Sequence, residues 1–114
     1  MTANKKRYIT VDKIRYIYTI RGRMDDIKVI IYTENQKKPY FTVYFSYLES
    51  WGFNMYRPKT IEILIKFYNQ NSHNLSKNEF RIMEQPLLFQ ILLECYFNNS
   101  NDMERDKFLE CCMR

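Results

Sequence analysis

One histidine and three cysteines are the side chains of this chain best suited to general-base, nucleophilic or soft-metal chemistry. His73 lies in the run Asn69-Gln70-Asn71-Ser72-His73-Asn74, which carries nothing to bury and reads as a solvated turn. A catalytic histidine needs a packed partner to orient its ring, and none is offered there. Cys111 and Cys112 are adjacent and follow Glu110, a carboxylate that raises a neighbouring thiol pKa and so disfavours the reactive thiolate. Cys95 stands alone, and no Cys-x-x-Cys occurs, so a structural zinc site would lack its usual nitrogen and sulfur ligands. The pair Asp25-Asp26 is expected to shape a turn, since sequential carboxylates on a strand point apart. Two glycines in the whole chain exclude a glycine-rich phosphate cradle. The sequence therefore assigns no catalytic residue, no metal and no cofactor, and the protein is expected not to be an enzyme.

Binding chemistry is better represented. Arg7, Tyr8, Arg15, Tyr16, Tyr18, Arg21 and Arg23 interleave positive charge with rings, the ingredients of a surface that pairs phosphates and stacks bases. On a strand, however, Tyr16 and Tyr18 face away from Arg15 and Arg21, so the rings and charges of that segment do not share a platform. A nucleic-acid reading therefore rests on Arg7, Arg15, Arg21 and Arg23 in the N-terminal hairpin. Trp51, Phe53, Tyr56 and Arg57 make a second cluster, of residue types enriched at protein interfaces. Their alternative role is a satellite core beneath a loop.

These residues must be positioned by a small scaffold. At 114 residues, with 46% hydrophobic and 27% charged positions, the chain fits one globular domain, residues 1–114. Ten tyrosines and eight phenylalanines against two glycines and three prolines favour a compact core with few flexible loops. The charge is uneven: residues 1–57 hold eleven Lys/Arg and five Asp/Glu, whereas residues 58–114 hold seven and eight. The positive field belongs to the first half, where it either steers an acidic partner or keeps an aromatic-rich surface soluble. No apolar run with a cleavage site follows Met1, and the odd, C-terminally clustered cysteines make a poor disulfide framework. A reducing cytoplasm is expected, with no membrane segment.

Alternating patterns predict strands at Tyr8–Val11, Ile14–Arg21, Ile27–Thr33 and Tyr40–Tyr47. Asp12-Lys13 has the length of a tight hairpin turn. Leu48–Tyr56 has no clear period and is read as a loop with anchored aromatics. Pro58 suits a first helical position, and Ile61, Leu64, Ile65 and Tyr68 recur at helical spacing. Residues 76–85 stay open between a helix, from the capping-box pattern Ser76-x-x-Glu79, and a short edge strand. Leu87–Phe97 reads as a helix apolar on almost every side, at the centre of the core or at a homodimer seam, and a last helix is predicted from Asp102 to about Cys112. The expected fold is α+β, a four-stranded antiparallel meander packed against two to three C-terminal helices.

The strands K-R-Y-I-T-V, R-Y-I-Y-T-I-R and I-K-V-I-I-Y-T-E-N, followed by R-P-K-T-I-E-I-L-I-K, resemble small bacterial proteins in which a meander precedes a Pro-initiated helix. The pattern over residues 7–68 is similar to that of cytoplasmic immunity proteins paired with polymorphic toxins. That resemblance implies a non-enzymatic inhibitor of a cognate protein, such as a toxin, and lends no functional residues. Nuclease-neutralising immunity proteins resemble acidic decoys, whereas this chain carries a net charge of +5, so its partner would need an acidic or mainly apolar contact.

Overall fold

In a computed structural model, residues 6–22, 26–46, 49, 53 and 57–97 are described. The strands are β1 (Arg7–Val11), β2 (Ile14–Gly22), β3 (Asp26–Thr33), β4 (Phe41–Ser46) and β5 (Glu79–Arg81); the helices are α1 (Pro58–Asn71) and α2 (Pro86–Phe97). The architecture is α+β. The predicted last helix at 102–112, with Cys111 and Cys112, lies outside the described residues.

The meander forms as its turns dictate. Asp12 and Lys13 both take positive φ, 51° and 69°, as a two-residue type I′ turn requires, and they close Val11 onto Ile14. Holding a lysine in that left-handed region costs about 1–2 kcal/mol, which the strand pairing on either side offsets. β1, β2, β3 and β4 then pair antiparallel in sequence order.

A fifth strand extends the expected four-stranded sheet. β5 lies beside β4 and runs parallel to it, with Val43 opposite Phe80, so the sheet is mixed. Parallel neighbours need a crossover; here the chain leaves β4, passes through α1 and returns, and Thr42 N–H donates to the Asn78 carbonyl at 2.8 Å where it arrives. Residues 79–81 thus take the edge-strand option. A single 3-10 turn at Ile82–Glu84 follows, held where Arg81 N–H donates to Glu84 Oε1 at 2.7 Å.

The stretch read as a loop after β4 contains two described residues, Glu49 and Phe53, and both are helical. Ser46 and Glu49 form a reciprocal capping box: Ser46 N–H donates to Glu49 Oε1 at 2.8 Å and Glu49 N–H to Ser46 Oγ at 3.1 Å. The Ser46-x-x-Glu49 spacing carried that signal in the sequence. The abundance of large aromatics around it obscured the period.

Period two sends Tyr16, Tyr18, Val29, Ile31, Phe41, Val43 and Phe45 to one side of the sheet, where they meet Ile61, Leu64, Ile65 and Tyr68 of α1 and Leu88, Phe89, Leu92 and Leu93 of α2 in one cluster. Phe41 stacks on Tyr68 with centroids 4.3 Å apart. Two tyrosine tips in this layer are partnered through one asparagine: Tyr40 Oη donates to Asn69 Oδ1 at 2.6 Å, and Asn69 Nδ2 donates to Tyr16 Oη at 3.1 Å. Thr60 Oγ1 donates to the Phe53 carbonyl at 3.0 Å and lies against Tyr96 Oη, tying the start of α1 to α2.

Candidate binding face

The register assigns the other side of the sheet residue by residue. Tyr8, Ile17 and Tyr32 form one row across β1, β2 and β3. Thr19, Ile30 and Thr42 form the next, and Arg21, Lys28, Tyr44 and Arg81 the third. The middle row is short or branched and 4–6% exposed, flanked on both sides by longer side chains. Both α1 and α2 belong to the opposite layer, and no described helix contributes to this face.

Cations sit over rings here. The Arg15 guanidinium lies 4.3 Å from the centroid of Tyr8, and Lys28 Nζ lies 5.9 Å from that of Tyr44. Carboxylates hold the same groups in place: Arg15 Nε is 3.4 Å from Glu34, Tyr44 Oη donates to Glu79 Oε1 at 2.9 Å, and Arg81 pairs with Asp26 at 3.2 Å. Among the described residues, β2, β3 and β5 place four cations here, Arg15, Arg21, Lys28 and Arg81, beside the three carboxylates Glu34, Asp26 and Glu79. Other described cations of the first half lie away from these rows. Lys13 in the first turn and Lys37 and Lys38 in the β3–β4 connector lie together at one end of the sheet.

Asp26 is not a turn residue. It is the first residue of β3, 4% exposed, and its ion pair with Arg81 clamps β5 across β4 onto β3. Nearby, burial pushes the Glu49 carboxyl above its ordinary value, opposed by the hydrogen bonds from Ser46 and by the positive charge of Arg81.

The expected nucleic-acid residues divide. Arg15 and Arg21 reach the open face, Arg7 is exposed on β1 with Tyr18 as its register partner, and Arg23 lies outside the described residues. Tyr16 and Tyr18 are core residues, at 2% and 3% exposure. The rings that do share the face with Arg15 and Arg21 are Tyr8, Tyr32 and Tyr44, two of them from strands outside the first hairpin. The interface cluster is also divided. Phe53 is fully buried and meets Phe89 edge-to-face at 5.3 Å, so it is a member of the main core and no surface anchor. Arg57 is exposed just before α1, and Trp51 and Tyr56 lie outside the described residues.

His73 is exposed in the 3-10 turn Ser72–Asn74, and Cys95 is a free, exposed thiol on α2. Among the described residues no group of three or more His, Cys, Asp or Glu is arranged to hold a metal ion, and no described helix is long and apolar enough to cross a membrane. Comparison of the chain with protein families, curated proteins and solved structures finds no match.

Proposed function

We propose that this is a non-enzymatic protein-binding module of the immunity or inhibitor type, which neutralises a cognate protein such as a bacterial toxin through the open face of its sheet. One observation carries the reading. The face gathers Tyr8, Tyr32 and Tyr44 with four cations and three carboxylates, and tyrosine and arginine are enriched where proteins bind tightly. A near-balanced charge gives little general attraction for phosphate, whereas it matches a protein surface that is itself of mixed charge.

Half-exposed tyrosines supply contact area at low entropic cost, because a ring has few rotors to freeze. The cation–π and carboxylate contacts hold Arg15, Lys28 and Arg81 in place before a partner arrives, which lowers the ordering cost of binding. Compartment follows from the same reading: an inhibitor of this kind acts in the cytoplasm that produces its target.

The nucleic-acid alternative keeps one specific support, since Arg15 and Arg21 share a face with three rings. The two readings separate experimentally. Affinity capture from the native host with the wild-type chain, and with a Tyr8→Ala plus Tyr32→Ala variant, should recover one protein at near-stoichiometric yield that the variant loses by more than about tenfold. Recovery of nucleic acid without protein, released steeply by salt, would sink the inhibitor reading.

A further inference from the structure

We propose that the edge of β1, unpaired among the described residues, is the seam of a symmetric dimer, in which β1 pairs antiparallel with β1 of a second copy and joins two five-stranded sheets into one continuous sheet. β1 and β5 are the two edges of the sheet. They differ in how they are protected. β5 is three residues long, carries Glu79 and Arg81, and ends in a 3-10 turn, the usual means of blunting an edge. β1 has five residues, Arg-Tyr-Ile-Thr-Val, with no proline or glycine, and Tyr8 is 55% exposed.

The turn fixes which main-chain groups this edge offers. In a two-residue hairpin the flanking residues, Val11 and Ile14, exchange both main-chain hydrogen bonds. Alternation then makes Ile9–Tyr16 and Arg7–Tyr18 hydrogen-bonded pairs, while Tyr8 and Thr10 turn their N–H and C=O outward. A second copy fits these groups with the two-fold axis at Ile9. Tyr8 meets Thr10 of the second copy, each of the two such pairs exchanging both hydrogen bonds, and Ile9 meets its own equivalent on the core side.

Charge selects this register. It brings Lys6, just before β1, toward Asp12 in the first turn of the second copy, and Asp12 toward the second copy's Lys6, with both residues exposed. Sliding by two residues one way sets Ile9 against Arg7, and the other way sets Asp12 against Tyr8. A lysine just before the strand and an aspartate just after it are self-complementary in the antiparallel sense, which is what a second copy of this chain supplies. The axis stands perpendicular to the sheet, so the open faces of the two copies become contiguous, with Tyr8 at the centre.

Light scattering and sedimentation of the full chain test this. A dimer should form at about 0.1 mM protein, as expected for a small interface. Thr10→Pro removes an outward N–H that β2 does not use, and should raise the dimer dissociation constant more than about tenfold while circular dichroism stays native. Lys6→Asp should weaken the dimer several-fold at low salt, and adding Asp12→Lys should restore it. A wild-type monomer at that concentration would overturn the proposal, as would a dimer that Lys6→Asp leaves intact or that Leu87→Asp, on the outer side of α2, abolishes in place of Thr10→Pro.

Discussion

The two faces of one sheet use the same residue types for opposite ends. On the helix side Tyr16 and Tyr40 are bonded through Asn69, Tyr68 is stacked on Phe41, and all three rings lie within one aromatic cluster. Burial, and then the neighbouring Tyr16 and Tyr68, raise the Tyr40 phenol above its ordinary value. On the open side the Arg15 guanidinium lies over the Tyr8 ring, and Tyr44 meets Lys28 and donates to Glu79 at the rim. A tyrosine in the first setting stabilises the fold. One in the second is available to a partner, and the difference lies in what the pleat places above each ring.

The largest expected effect breaks this contrast directly. Phe41→Ala, at a fully buried position stacked on Tyr68, should cost about 3–5 kcal/mol in urea unfolding. Tyr32→Ala on the open face should cost about 1 kcal/mol or less. Equal losses would mean that the open face is a second core, and the binding proposal would lose its footing.

The clamp across the strands comes next. Arg81→Ala removes a guanidinium 3.2 Å from the Asp26 carboxylate, which is 4% exposed, and should destabilise the chain by about 1–3 kcal/mol. Asp26→Asn combined with Arg81→Ala should recover part of that loss, because no buried charge remains.

Glu49 gives a pH signature. Its carboxyl is raised by burial, so between its ordinary value of 4.5 and the raised one the folded chain binds more protons than the unfolded chain. Its contribution therefore favours folding at low pH and fades as pH rises from about 4.5. Glu49→Gln keeps an oxygen for Ser46 N–H and should flatten this part of the stability curve. An unchanged slope in urea midpoints across that window would show that Glu49 is not the source.

The smallest effect sharpens the face itself. Arg15→Ala plus Arg21→Ala should leave stability almost unchanged and lower partner affinity modestly, with a shallow salt dependence, because three carboxylates already balance the four cations. A steep loss with salt would favour phosphate as the ligand.

Much of the scaffold was legible in local pattern. The strands, the Asp12-Lys13 turn, Pro58 at the first position of α1 and the buried stripe Ile61, Leu64, Ile65 and Tyr68 all follow from periods of two and of three to four residues. β5 was ambiguous because three residues carry no period, and its pairing with β4 depends on a return through α1 that no local signal encodes. The binding face was half visible: Arg15 and Arg21 stood out, but their companions Tyr32, Tyr44 and Arg81 come from strands far along the chain. Phe53 stood between an interface and a core role for the converse reason, since an aromatic near a tryptophan looks the same whether it will be covered by α2 or left bare.

By itself the order of residues settled which segments extend, which coil and which side of each strand is apolar, because sterics and alternation act over a few neighbours. Only tertiary structure decided which tyrosines would be covered, which cations would share a surface with rings, and that Asp26 would find Arg81. Those outcomes depend on strand order and on where the helices land, and such long-range contacts form only when the whole chain closes around its core.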